Sequence, residues 1–430
     1  MIKNVNIAVV GLGQVGIYLL NELINKKKDI EIKTRKKINI VAISAKNINK
    51  KRRFKINKKI FYKNPLDIFK KQKIDILFEV IGLSDGISKK IVETALRNKV
   101  HVITPNKALI AKHGDYLADL AENNKVNLEF EASVAGGIPI LRTIKEGLAT
   151  NKISKVYGIL NGTCNYILSE MSVSKNSFNN VLSKAQKLGY AEPINPKLDL
   201  NGSDAFAKIR ILSALSFNTK ISKFKCLVEG IEKVELKDIE IANQLNMCIK
   251  LLGITELING QLFERVHPCF VDKNSYIGNV NGVMNAVIIN GKPVGESVFQ
   301  GEGAGPGPTS SSLLSDLLSI LRGNIKYPFG IQSNKRKVIK CFKLGKYNNS
   351  LYLRFEVKDK PGVLSEITNR LAKYNISVKR IVQTPDKKNN KATIVIITHK
   401  TTELNSNKCF LIFRKNKNIL KFPTVIRLYN

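Results

Sequence analysis

The sequence predicts an α/β protein with a doubly wound parallel sheet at its N-terminus, an α+β middle region and a small βαββαβ unit at its C-terminus. Three observations carry that expectation. Strand and helix patterns alternate through the first 130 residues, a Gly-rich turn follows the first strand, and strand-like alternation resumes after residue 350. A chain of 430 residues suits two or three domains.

Residues Val5–Val10 read as a buried parallel strand, followed by Gly11-Leu12-Gly13-Gln14-Val15-Gly16 and a helix through Tyr18, Leu19, Leu20 and Leu23. A basic, hairpin-like insertion leads to a second strand, Ile38–Ser44. Further strands are expected at Ile74–Ile81 and Val100–Ile103, with a helix Ser88–Asn98 between them. The middle region, about 131–305, holds strands Lys155–Ile159 and Asn285–Ile289 and a helix Asp204–Leu215. A Gly/Pro-rich loop from Gly301 to Thr309 leads into a helix Leu313–Leu321, which returns to complete the first domain over about 306–330. Around Asn334–Lys340 apolar density falls, so 331–350 reads as a linker and 351–430 as an independent unit.

Hydrophobic content of 43% is ordinary for a soluble globular chain. No apolar run approaches the ~18 residues of a membrane span. The start, Met1-Ile2-Lys3-Asn4, runs straight into a strand and leaves no room for a signal peptide. Six scattered cysteines without a Cys-x-x-Cys pair argue against zinc or a disulfide framework and fit a reducing cytoplasm. The net charge of +37 is concentrated early, in Lys26–Lys28, Lys33–Lys37 and Lys50–Arg53. Such runs suit nucleic acid or an anionic membrane. Yet no aromatic residues interleave them as stacking platforms, and abundant Lys, Asn and Ile together reflect A/T-rich coding. Nucleic acid is therefore not the expected partner.

The Gly-rich turn sits between a strand and a helix, the context that makes it a dinucleotide site of the Rossmann type. Gly11 permits the tight turn, Gly13 lets backbone approach a pyrophosphate, and Gly16 lets helix and strand pack closely. The helix start then offers N–H donors and positive potential. An acid at the end of the second strand would bind a ribose 2′-hydroxyl. Here Ser44-Ala45-Lys46-Asn47 holds none, and Lys46 favours a 2′-phosphate, hence NADP, with NAD open.

Five further segments resemble homoserine dehydrogenases, in that family's order and across essentially residues 5–325. They are His101–Leu109 (with Thr104-Pro105-Asn106-Lys107), Glu131–Pro139, Asn161–Leu168, Leu188–Pro193 with Asp199–Lys208, and Gly301–Gly305 with Pro308-Thr309. Pro105 replaces the family's usual Ala and should stiffen the backbone before Lys107; Cys164 reads as a buried small residue. The resemblance implies interconversion of L-aspartate 4-semialdehyde and L-homoserine with NAD(P)H, in threonine and methionine biosynthesis. By spacing alone, Asp204 and Lys208 make an exposed i,i+4 ion pair. The resemblance instead makes Lys208 the acid/base lysine, Lys107 a second lysine near nicotinamide and substrate, and Asp204 and Glu192 substrate ligands. It also places Val15, Gly189 and Gly303 along the cofactor beside Gly11, Gly13, Gly16 and Lys46. The Glu131 loop resembles the family's monovalent-cation site, with a Glu131 carboxylate oxygen and carbonyls of Val134, Gly136 and Ile138 around sodium; a Gly-rich turn without an ion is the other reading.

Tyr352–Leu364, turning at Pro361-Gly362 into a helix Val363–Lys373, resembles an ACT domain, a ferredoxin-like amino-acid-binding module. Its turn offers N–H groups to an α-carboxylate. The resemblance implies an amino-acid effector, with threonine as the candidate, and self-association as a homodimer or homotetramer. Dimerisation without a ligand is the plainer alternative. Other dehydrogenases fit less well: His101, His113, His267 and His399 match no histidine acid, and Cys164 lacks a base for a thiol mechanism. A basic nucleic-acid-binding or scaffolding protein on a decayed enzyme fold is the alternative from another class. The intact Gly11, Gly13, Gly16, Lys107, Glu192, Asp204 and Lys208 set argues against it.

Overall fold

A computed structural model describes residues 3–47, 57–192, 195–386, 389–414 and 416–429. Six parallel strands build the first sheet: β1 (Lys3–Val10), β2 (Lys36–Ser44), β3 (Phe61–Tyr62), β4 (Ile76–Glu79), β5 (His101–Ile103) and β6 (Leu128–Glu129). Their order is β3-β2-β1-β4-β5-β6, so the winding reverses between β1 and β4. Crevices at such reversals, outside the carboxyl ends of the strands, are where nucleotides bind in these sheets. Ile7, Ala8, Val9 and Val10 are all buried, as expected for a strand covered on both faces. Helix Pro306–Leu321 brings Leu313, Leu317 and Ile320 onto Leu19, Leu20 and Leu23 of helix Gln14–Asn25, so this layer closes with residues three hundred positions away. That helix begins at Pro306, whose fixed φ suits a first turn, rather than after Thr309.

The remaining strands form one mixed sheet. They are β7 (Lys152–Ile159), β8 (Leu227–Val228), β9 (Met247–Ile258), β10 (Gln261–Asp272), β11 (Met284–Lys292), β12 (Gly295–Glu302), β13 (Asn348–Lys358), β14 (Val378–Asp386), β15 (Lys391–Thr398), β16 (Thr401–Thr402) and β17 (Ile419–Leu428). The path is β12-β11-β7-β9-β10-β17-β13-β15-β14, with β8 on β10 and β16 on β13. Alternation decides the faces. Val156, Ile249, Leu251, Val287 and Ile289 share a core with Ile209 and Leu212 of helix Ser203–Ser216, while Tyr157, Leu252, Ile254, Ala286 and Ile288 fill the opposite face. Truncating fully buried Leu212 to Ala should cost ~2–5 kcal/mol.

Four differences from the sequence reading stand out. The basic insertion is a helix, Lys27–Thr34, ending at a left-handed Arg35 with φ 54°, not a hairpin. One buried isoleucine, Ile30, anchors it to the sheet's helical layer. The run Lys50-Lys51-Arg52-Arg53 lies outside the described residues. The long β9–β10 hairpin lies beyond the strands the sequence predicts; it turns on left-handed Asn259 and Gly260, φ 49° and 74°. The 331–350 connection is packed rather than free: buried Arg336 lies 3.8 Å from the centre of the Phe329 ring and donates Nη2 to the Thr219 carbonyl at 2.6 Å. Guanidinium planes stack on aromatic faces, so apolar density understates how well such a segment can be buried. Nor is the C-terminal βαββαβ unit detached. Its β17 pairs in parallel with β10 through Cys269–Arg427 and Phe270–Leu428, and buried Arg354 donates Nε to buried Asp238 at 2.7 Å.

Candidate active site

The nucleotide turn is shaped by what each glycine excludes. Gly11 has φ +107°, and a Cβ there would lie 2.5 Å from the carbonyl of Val80, just past the end of β4 across the reversal. A Cβ on Gly16 would lie 2.0 Å from the Gly11 carbonyl, whereas one on Gly13 would meet nothing within 4 Å. Two glycines therefore serve packing and the third leaves open space over the helix start at Gln14, Val15 and Gly16. The Gly11 N–H is already given to Ser44 at 2.9 Å, which ties the turn to the end of β2. Lys46, exposed, follows two residues later.

At the carboxyl end of β4, Glu79 is fully buried and organises the neighbouring loops. Its carboxylate accepts from Ile81 N (3.0 Å), Thr104 Oγ1 (2.7 Å) and Asn106 Nδ2 (3.3 Å). Asn106 caps the helix that begins at Lys107 by accepting from Leu109 N at 3.1 Å. The network thus fixes the base of Lys107.

Lys107 points at helix Ser203–Ser216. Its Nζ lies 2.6 Å from Asp204 Oδ1, while Lys208 Nζ lies 2.8 Å from Asp204 Oδ2 and donates to the Leu160 carbonyl at 2.6 Å. Asn161 donates Nδ2 to both Asp204 Oδ2 (3.0 Å) and Asp199 Oδ1 (2.9 Å). Asp204 and Lys208 are each 7% exposed, so the pair is a buried one and not the surface pair that spacing suggests. The electrostatics divide the lysines. Burial pushes Lys208 below its ordinary pKa, with Lys107 adding repulsion and Asp204 pulling the other way. Burial also opposes charge on Lys107, but Asp204 outweighs it and raises its proton affinity. For Asp204, burial resists ionisation and the two ammonium groups overcome it, holding the carboxyl well below the usual carboxylate range. Burial and the Asp204 charge push Asp199 up.

The 189–192 segment approaches through its backbone: Thr163 Oγ1 donates to the Tyr190 carbonyl at 2.5 Å, and the Tyr190 and Tyr166 rings lie 4.9 Å apart. Gly189 turns this segment with φ +78°, and the carboxylate of exposed Glu192 contributes to the field that raises Lys107. Gly303 has a packing reason to be glycine, since a Cβ would lie 2.0 Å from Cγ of the buried Asn285 amide. A Cβ on Gly136 would in turn lie 2.4 Å from the Gly303 carbonyl, so the expected cation loop rests directly on this segment.

In that loop the Glu131 carboxylate accepts from Leu141 N (2.8 Å) and Arg142 N (2.7 Å), the Gly136 carbonyl from Ser312 Oγ (2.7 Å) and the Ile138 carbonyl from Ile140 N (2.8 Å). No cluster of three His, Cys, Asp or Glu side chains among the described residues suits a metal. Three buried acids, Glu129, Glu131 and Asp316, lie with Lys145 and Arg142, which pair with Glu129 at 2.9 Å and Asp316 at 3.0 Å, and burial pushes Glu131 and Asp316 above the usual carboxylate range. Carbonyl oxygens keep a second lone pair, so the donor set fits a hard monovalent ion.

Cys164 is buried, gives its thiol to the Asp199 carbonyl at 3.2 Å and is pushed up by burial, which leaves no thiolate nucleophile. Glu79, Leu160, Asn161 and Asp199 join the site without having been singled out for roles in the sequence; the Asn161-Gly162-Thr163 and Asp199 motifs carried the readable signal.

The chain is similar to known proteins along its whole length. Residues 11–131 match the family model described as homoserine dehydrogenase, NAD binding domain; 139–318 match homoserine dehydrogenase; and 351–407 match the ACT domain. A homoserine dehydrogenase of Neisseria gonorrhoeae is 36% identical over 99% of both chains, and one of Helicobacter pylori 35% identical over the full length of both. The crystal structure of a homoserine dehydrogenase from Thiobacillus denitrificans superimposes with a TM-score of 0.91 at 33% identity, covering 100% of this chain and 99% of its own. One from S. aureus gives 0.76 at 32% identity with full coverage of both.

Proposed function

This chain belongs to the homoserine dehydrogenase family, NAD(P)-dependent oxidoreductases acting on a CH–OH group, and from that premise we propose how its residues divide the reaction. The observation that carries the reading is the Asp204 carboxylate shared by Lys107 and Lys208 at 2.6 and 2.8 Å. Reduction of L-aspartate 4-semialdehyde needs a hydride at the aldehyde carbon and a proton on its oxygen. A bound nicotinamide supplies the hydride. Lys208, with its proton affinity lowered by burial, gives up the proton to the developing alkoxide and takes it back in homoserine oxidation. Lys107, with its proton affinity raised, stays cationic and stabilises the oxyanion beside it. Asp204 holds both ammonium groups toward one point and contacts the substrate there, and Glu192 receives the substrate's ammonium group.

For the cofactor, the open space at Gly13 and the helix start hold the pyrophosphate, with Gly11, Val15, Gly16, Gly189 and Gly303 along its path. Lys46, with no acid at the end of β2, selects the 2′-phosphate of NADP. Glu131, Val134, Gly136 and Ile138 would hold a sodium ion, which would favour the ionised Glu131 carboxylate against its burial and stiffen the loop under Gly303. The left-handed Gly362, φ +87° with nothing within 4 Å of its Cβ position, leaves the ACT turn open to an amino-acid carboxylate, threonine being the effector expected of this pathway. Paired ACT domains make the enzyme a homodimer or homotetramer. No helix among the described residues is long and apolar enough to cross a membrane, which suits a cytoplasmic biosynthetic enzyme. A steady-state assay of aspartate semialdehyde with NADPH and NADH, each with and without threonine, tests these assignments. NADPH preference and threonine inhibition are expected, while NADH preference overturns the cofactor assignment and insensitivity overturns the effector.

A further inference from the structure

The turn that carries Asp199 and opens the Asp204 helix is braced from outside by a short strut that ends on the ACT domain. Gly230 presses on that turn: a Cβ there would lie 1.9 Å from the Leu200 carbonyl and 2.5 Å from Asn201 Cα. The next residue, Ile231, donates its N–H to the same Leu200 carbonyl at 3.0 Å. Gly202, which adopts φ +85° to start the helix, has the Glu229 carbonyl 3.2 Å from its Cβ position. Glu229 is tied inward by its N–H to the Val266 carbonyl of β10 at 2.8 Å. Its half-exposed carboxylate is held by Arg427 Nη1 at 2.7 Å. Arg427 belongs to β17, is buried, and is itself fixed by buried Glu403, whose Oε2 accepts from Nη2 at 3.1 Å. Beside this contact lies a cleft of about 880 Å³ between the two domains, bordered by Asn201, Glu229, Phe410 and Phe422. The strut therefore has room to shift on its open side.

We propose that Glu229 and Arg427 are positioning residues for the substrate side of the active site: the last ACT strand holds the Glu229–Gly230 strut, and the strut sets the turn from which Asp199 and Asp204 project. Backbone packing makes the transmission stiff, because Gly230 cannot move toward the turn without displacing it. The cofactor turn at Gly11–Gly16 lies on the other sheet and does not share this contact. The inference rests on Asp204 acting on the substrate side, which turnover of the parent enzyme with Lys208 and Asp204 variants examines separately.

The test uses the full-length enzyme. Glu229→Ala removes the carboxylate from a half-exposed position and leaves Arg427 paired with Glu403, so folding is preserved. KM for homoserine should rise about fivefold, the size a partly exposed ion pair can carry, with KM for the cofactor unchanged. Glu229→Gln, which keeps an acceptor for Arg427, should recover most of the loss. Arg427→Lys should raise KM in the parent and add nothing in the Glu229→Ala background, since it acts through Glu229. A Glu229→Ala enzyme with the parent's KM for homoserine overturns the proposal. So does an equal rise in both KM values, or a full additive effect of Arg427→Lys.

Discussion

Asp204→Asn removes one charge and keeps the shape of the site, so it isolates the electrostatic role of the shared carboxylate. In the parent, Asp204 opposes the two influences that lower the proton affinity of Lys208, burial and the Lys107 ammonium. Two unit charges about 4 Å apart interact by about 4 kcal/mol at an effective dielectric of about 20. At about 1.4 kcal/mol per tenfold change, losing that interaction weakens proton binding at Lys208 by up to ~10³. The sign differs with direction. Aldehyde reduction needs Lys208 protonated, so its rate falls as pH rises through the Lys208 pKa, and the variant should show that fall at lower pH. Homoserine oxidation needs Lys208 neutral, so the variant should stay active to lower pH than the parent. The assay is kcat against pH in both directions, with the cofactor saturating. If both limbs stay where the parent has them, Asp204 does not set the protonation of Lys208 and the reasoning fails.

Lys46→Glu should move kcat/KM from NADPH toward NADH through repulsion of the 2′-phosphate, and an unchanged ratio would detach Lys46 from the cofactor. Gly362→Val places a β-branched residue at φ +87°, a local strain of ~1–3 kcal/mol; titration with threonine should show inhibition lost and basal turnover kept. Arg354→Met leaves Asp238, 0% exposed, without its cationic partner and with the Tyr352 hydroxyl and Glu235 N–H as donors, and chemical denaturation should show a loss of ~3–5 kcal/mol. For the same reason, excising 351–430 should yield a poorly soluble fragment, because it strips β10 of β17 and strands Asp238.

What the sequence reveals here is local. The roles of Gly11 and Gly16 are readable because a turn and a close helix contact exclude a side chain whatever surrounds them, and the Asn259-Gly260 pair could have announced its hairpin on the same ground. The Asp204–Lys208 pair is visible as a spacing, but its burial depends on Leu160, Asn161 and Lys107, which arrive from other elements. Glu79 reads as one acid at a strand end, and only the loops it gathers from Ile81 to Asn106 reveal its purpose. Arg336 reads as linker because charge counts against burial, yet its guanidinium has an aromatic face and a carbonyl waiting. The docking of β17 onto β10 joins segments about 160 residues apart by two pairs, and no periodicity announces it.

The central claim is that Lys208 moves the proton, and its most direct test is turnover of Lys208→Ala measured alongside NADPH binding. Loss of a general acid should lower kcat by on the order of 10² or more, while NADPH binds as tightly as it does to the parent. Near-normal turnover with intact binding would contradict the account and pass the role to Lys107.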